Sequence, residues 1–195
     1  MKVSIALVVL SLIPMLGGTA RLLGFTGVTA IDGQERFAAD PVPAVLHIVT
    51  ATSFATLGAL QFAPRLRRRR WHRVAGRVLA PLGIIASLSG IYMVATWPPK
   101  LHDSAALNAL RVTAASAMVV FIVVSVVAAR RRDFDAHARW MTRAYALGAA
   151  AGTSALTLGP AVLLNVLQTE AGVLVLNGAG WLINVAVAEW ALRRP

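Results

Sequence analysis

LNALRVTAASAMVVFIVVSVVAA, residues 107–129, decides the fold class. From Val112 to Ala129 it holds no charged residue. Crossing hydrocarbon takes about 20 mostly apolar residues in a helix, because nothing inside a bilayer satisfies an unpaired backbone group. Working outward, five more stretches have this character, and the six lie at about 3–23, 42–63, 76–97, 107–129, 140–163 and 171–192. Composition agrees. The 195 residues are 57% hydrophobic and only 14% charged. With the 15 glycines the apolar share reaches about 65%, against roughly 45–50% in soluble globular chains. A soluble domain of this length has too little interior to hide so much apolar surface. The expectation is an all-α polytopic membrane protein, a single transmembrane domain over 1–195 built as a bundle of six helices.

The first span has features of a signal peptide: Lys2, an apolar run over 3–13, and small residues at Gly17-Gly18-Thr19-Ala20. Apolarity resumes at Leu22-Leu23-Gly24-Phe25, so the segment reads as a retained helix.

Charge gives the direction. Of 19 basic residues only Lys2 and Lys100 are lysine, and the alanine- and valine-rich composition suits a bacterial source. Between spans two and three lie Arg65, Arg67, Arg68, Arg69, Arg70, Arg73 and Arg77. Between spans four and five lie Arg130, Arg131, Arg132, Arg139 and Arg143. With Lys2, Arg193 and Arg194 these share one side, while the other side has only Arg21, Arg36, Lys100 and Arg111. Basic residues stay in the cytoplasm, so both termini are expected inside a bacterial inner membrane. Trp71, Trp140 and Trp190 then fall at the inner interface and Trp97 at the outer one.

Several classes of function fall away. The net charge of +11 is interleaved with apolar runs rather than laid along a soluble face, which argues against nucleic acid. The absence of cysteine removes disulfides, thiolate nucleophiles and iron–sulfur ligation. No HExxH or GxSxG motif and no Ser-His-Asp arrangement suggests hydrolysis, so no catalytic residue is assigned. Transport lacks a pair of conspicuously broken spans and a chain of intramembrane carboxylates.

The inward faces carry the functional signal. Gly76, Gly83, Ser87 and Gly90 share one stripe of span three, and Gly148, Gly152, Ala155 and Gly159 one of span five; small residues are what membrane helices pack through. His72 and His137 each stand eleven residues before a seam glycine, Gly83 and Gly148, close to three turns and so on the same face. His47, Thr50, Phe54, Gly58 and Gln61 share a face of span two, with His47 a turn or so below the outer surface. Asn177, Trp181 and Asn184 mark an inward stripe of span six.

Paired inward imidazoles suit b-type haem, which takes axial histidines, or quinone chemistry. His72 and His137 would serve near the inner face and His47 near the outer, with His102 as its candidate partner. Arginines nearby could meet the haem propionates as charge-assisted partners. The other reading is non-catalytic: arginine loops, including Arg67, Arg68, Arg69, Arg70, Arg130, Arg131 and Arg132, bind anionic phospholipid or a partner protein.

The histidine opening span two, the segment Trp71-His72-Arg73-Val74-Ala75-Gly76-Arg77 and the segment His137-Ala138-Arg139-Trp140-Met141-Thr142-Arg143-Ala144-Tyr145 form a pattern over roughly residues 40–160. It resembles the bacterial membrane-protein family catalogued as domain of unknown function 2306. That resemblance implies a common site of His47, His72, His137, Arg77, Arg139 and Arg143, and no activity. More loosely the chain is similar to cytochrome b561-type bundles, which pair intramembrane histidines on both sides; here only His47 is clearly intramembrane.

Overall fold

The computed structural model describes residues 2–27, 40–67, 70–99, 102–164 and 169–194. Seven helices and no strand occur among them: α1 (Lys2–Phe25), α2 (Val42–Gln61), the single turn α3 (Pro64–Arg67), α4 (Arg70–Thr96), α5 (Ala105–Arg130), α6 (Phe134–Leu163) and α7 (Glu170–Leu192). The chain divides into two compact units, residues 1–98 and 99–195.

Five of these helices are long and apolar enough to cross a membrane, namely α1, α2, α4, α5 and α7. The expected span at 140–163 lies in α6, which has the length, 30 residues, but is not among the five. Gly148, Gly152, Thr153, Ser154, Thr157 and Gly159 dilute its apolar character, and Asp135, Arg139 and Arg143 charge its first half.

Helix starts follow local chemistry. Pro41 and Pro43 open α2, where a missing N–H costs nothing. Ser104, Asp133 and Thr169 cap α5, α6 and α7, each side chain accepting from the backbone N–H three residues on. Both α4 and α6 begin about six residues earlier than the apolar runs, so His72 and His137 are helical.

In the first unit α2 packs between α1 and α4. Ser11 Oγ lies 3.4 Å from Thr56 Oγ1 across the first seam, where Gly18 lies against Ile48. The second seam is built from small side chains: Ala44, Ala55, Gly58 and Ala59 of α2 and Ala80, Gly83, Ala86 and Ser87 of α4 are buried. In the second unit α6 packs between α5 and α7, with Leu107, Ile122, Ser125, Ala144 and Ala150 fully enclosed. Outward faces are apolar; Leu182 of α7 is 73% exposed. Such a surface belongs against lipid tails.

The three-residue connection after α5 leaves Arg132 in the left-handed region, with φ 65°. Its N–H reaches Ala129 O at 3.1 Å and that of Asp133 reaches Ala128 O at 3.0 Å. This closure of a helix end ordinarily uses glycine.

Candidate histidine sites

His47 sits on the second turn of α2, on the face that meets α4. Its Nδ1 is 2.8 Å from Ala86 O and 3.3 Å from Ser89 Oγ. The proton's place follows by elimination. Ser89 Oγ donates its hydrogen to Ala86 O at 3.0 Å, so it has none to give the ring. A carbonyl oxygen only accepts. Nδ1 therefore carries the hydrogen, and in the neutral imidazole Nε2 keeps its lone pair. Gly90 lies against the ring: a β-carbon there would stand in van der Waals contact, 3.4 Å from His47 Cε1 and 3.6 Å from Nδ1.

His137 repeats the arrangement in the second unit, with its donors and acceptors drawn from α5. Nδ1 lies 2.8 Å from Ser125 Oγ and 3.1 Å from Ser125 O. Ser125, which is 0% exposed, donates its hydroxyl to His137 O at 2.9 Å. Again the serine hydrogen is committed elsewhere, so Nδ1–H is the donor and Nε2 the free base. Each unit thus holds one imidazole with its Nδ1 fixed on the neighbouring helix and its tautomer determined. A backbone carbonyl on the far ring nitrogen is how ligating histidines are usually oriented and made more basic.

The remaining sequence candidates are placed differently. His72 lies on the first turn of α4, and Ala86, opposite His47, is 14 residues further on. At 1.5 Å per residue that separates His72 and His47 by about 21 Å along the helix, so no single group in the first unit takes both. His102, with φ 63°, precedes the cap of α5, at the end of that helix away from Ser125. Arg77 and Arg139 are exposed. So are Arg70, Arg130, Arg131 and Arg132, whereas Arg68, Arg69 and the side chain of Arg67 lie outside the described residues.

Arg143 is engaged within the second unit. Its Nε and Nη2 donate to the two carboxylate oxygens of Glu189 on α7, the latter at 3.0 Å. Its guanidinium also lies 5.0 Å from the ring centre of Trp140, which is tilted against Phe121 at 5.2 Å. Glu189 balances the arginine that the sequence offers to a propionate. Further along the same seam Thr153 donates to Asn184 Oδ1 at 2.9 Å, Asn184 Nδ2 to Ala146 O at 3.2 Å, and Thr157 to Leu176 O at 2.8 Å. Gly180 permits this contact, because a β-carbon there would stand 2.9 Å from Ser154 N. At the opposite end of α5, Arg111 pairs with Asp103 at 2.9 Å and Asn108 at 2.9 Å.

Sequence reading identified both imidazoles but neither Ser89 nor Ser125, and it left Arg143 and Glu189 unpaired. Among the described residues no group of three or more His, Cys, Asp or Glu side chains gathers in a manner suited to a metal ion.

A family described as predicted membrane protein (DUF2306) matches residues 44–192, which include both histidine sites and the Arg143–Glu189 pair. No curated protein and no solved structure matches the chain. The chain belongs to the DUF2306 family of predicted membrane proteins.

Proposed function

We propose that this DUF2306 member is a bacterial inner-membrane electron-transfer protein in which His47 and His137 offer Nε2 to b-type haem. One observation carries the reading: each unit independently holds an imidazole whose Nδ1–H is spent on a carbonyl of the adjacent helix. Haem suits this donor set because it asks the protein for one or two imidazoles and supplies the other four ligands itself. A metal ion held by protein alone asks for three or four side chains.

The chain's own part is to hold and tune. The Ala86 and Ser125 carbonyls draw on the Nδ1 protons and raise the basicity of Nε2. Ser89 and Ser125 enforce the tautomer. Haem bound there would take up and release one electron. A quinol hydroxyl donating to the same Nε2 is the related redox use of the site.

The proposal includes six spans with both termini cytoplasmic. The arginine asymmetry supports that direction. α6 supports the sixth span by its 30-residue length and its packing between two helices that are themselves apolar enough to cross.

The test is an optical spectrum of the full chain, expressed with ample haem, purified in detergent and recorded oxidised and then dithionite-reduced. Sharp b-type bands are expected, diminished by His47→Ala and by His137→Ala. A protein that is colourless although folded, or bands untouched by both substitutions, would overturn the reading.

A further inference from the structure

The second unit gathers arginine at one end. Because α5, α6 and α7 run antiparallel in turn, the C-terminus of α5, the N-terminus of α6 and the C-terminus of α7 share an end. Arg130, Arg131, Arg132, Arg139, Arg193 and Arg194 are all exposed there. The acidic residues at this end are Asp133, whose carboxylate caps α6, exposed Asp135, and Glu189, held by Arg143. The local balance is strongly positive.

Two details separate this cluster from an ordinary solvated turn. Arg132 occupies the left-handed position, φ 65°, where glycine fits without penalty. A charged side chain stands at a place where the backbone disfavours any side chain. The second detail is what borders the charge. Phe134 is 65% exposed and Trp190 56% exposed, Arg194 lies 3.3 Å over the Trp190 ring, and Val127 and Val187 continue the apolar surface along α5 and α7. Guanidinium groups rimming an apolar, aromatic wall match a molecule with a phosphate at one end and acyl chains at the other.

We infer that this end of the second unit binds the headgroup of an anionic phospholipid, with the phosphodiester on Arg131, Arg132 and Arg194 and the acyl chains against Val127, Val187 and Trp190. The apolar wall favours phospholipid over free phosphate, which would use the arginines alone. The inference is independent of the histidine sites.

The experiment uses the full chain, delipidated in detergent, and follows binding by native mass spectrometry and by thermal unfolding. The probes are phosphatidylglycerol, phosphatidylcholine and inorganic phosphate. Phosphatidylglycerol is expected to bind and stabilise selectively, less so at high salt. A variant with Arg131, Arg132 and Arg194 all changed to Gln should bind it on the order of a hundredfold more weakly, about fivefold per arginine, with its unfolding in phosphatidylcholine unchanged. Arg132→Gly separates fold from ligand: it should unfold at a higher temperature in phosphatidylcholine while binding phosphatidylglycerol about fivefold more weakly. Equal binding of the two lipids, or a triple variant that keeps its preference, would overturn the inference. So would stabilisation by inorganic phosphate as strong as by phosphatidylglycerol.

Discussion

Gly180→Ala tests how closely α6 and α7 must approach. The added β-carbon would stand 2.9 Å from Ser154 N and 3.0 Å from Ser154 Cα, and closer still to Ser154 Oγ. The hydroxyl can rotate away, but the backbone cannot. Carbon contacts are comfortable near 3.5–4.0 Å, so the helices must part by roughly 0.5–1 Å at this point. Overpacking of this kind costs about 1–3 kcal/mol. Parting also stretches the Thr157–Leu176 bond of 2.8 Å and the Thr153–Asn184 bond of 2.9 Å, and an interhelical bond in a membrane averages about 0.6 kcal/mol. Offset by the gain of about 0.5–1 kcal/mol from alanine's better helix propensity, the expected total is a loss of about 1–3 kcal/mol, read from reversible unfolding in mixed micelles by tryptophan fluorescence. Gly76→Ala is the matched control, because nothing lies within 4 Å of its β-position and alanine is the better helix former by about 0.5–1 kcal/mol. If Gly180→Ala unfolds like the wild type, or if Gly76→Ala is the more damaging, the close contact of α6 and α7 is wrong.

Other expectations follow from the same contacts. Glu189→Gln keeps the shape but removes the charge facing Arg143; a loss of about 2 kcal/mol is expected in the same unfolding assay, and Arg143→Gln combined with it should restore part of that loss. Ser125→Ala deletes the hydroxyl's bond to His137 O and its contact with Nδ1, and should lower stability by about 1 kcal/mol; the His137 ring shifts should move while the proton stays on Nδ1, because Ser125 O still accepts from it. Gly90→Ala places a methyl in van der Waals contact with the His47 ring at 3.4 Å and should alter its ring shifts without loss of stability. The natural absence of cysteine allows a clean topology test. Thr26→Cys and Thr169→Cys should react with an impermeant maleimide in intact cells, whereas Arg131→Cys and Arg194→Cys should react only after permeabilisation.

Where the sequence speaks through periodicity, structure and expectation agree. Thr50, Phe54 and Gly58 are buried on the His47 face, as the stripe in span two requires, and Gly83 and Ser87 lie in the α2–α4 seam. Gly76 and Gly159, extrapolated along the same stripes, have open space around them, because the seams end before the helices do. The starts of α4 and α6 were harder to place. Hydropathy reads only the part of a helix that would meet lipid, while Arg70, His72 and His137 extend these helices beyond it.

Partners across a seam were not legible from one helix at a time, since register between helices leaves no periodic trace. A signal existed nonetheless. In an antiparallel hairpin, residues equally far from the turn face each other. Ser125 and His137 are equidistant from Arg131, in the turn itself, and Arg143 and Glu189 from a point near residue 166, just past the end of α6. A lone serine within Val123-Val124-Ser125-Val126-Val127 marks that register, because a hydroxyl among valines needs a partner.

The central claim is that His47 and His137 keep their proton on Nδ1 and present a free Nε2. Nitrogen NMR of the full chain in detergent, with histidine labelled in the ring and without added haem, reads this directly. Signals assigned by loss in His47→Ala and His137→Ala should each show a protonated Nδ1 and an unprotonated Nε2. A proton found on Nε2 in both residues would contradict the account, since neither ring could then offer the nitrogen that a ligand needs.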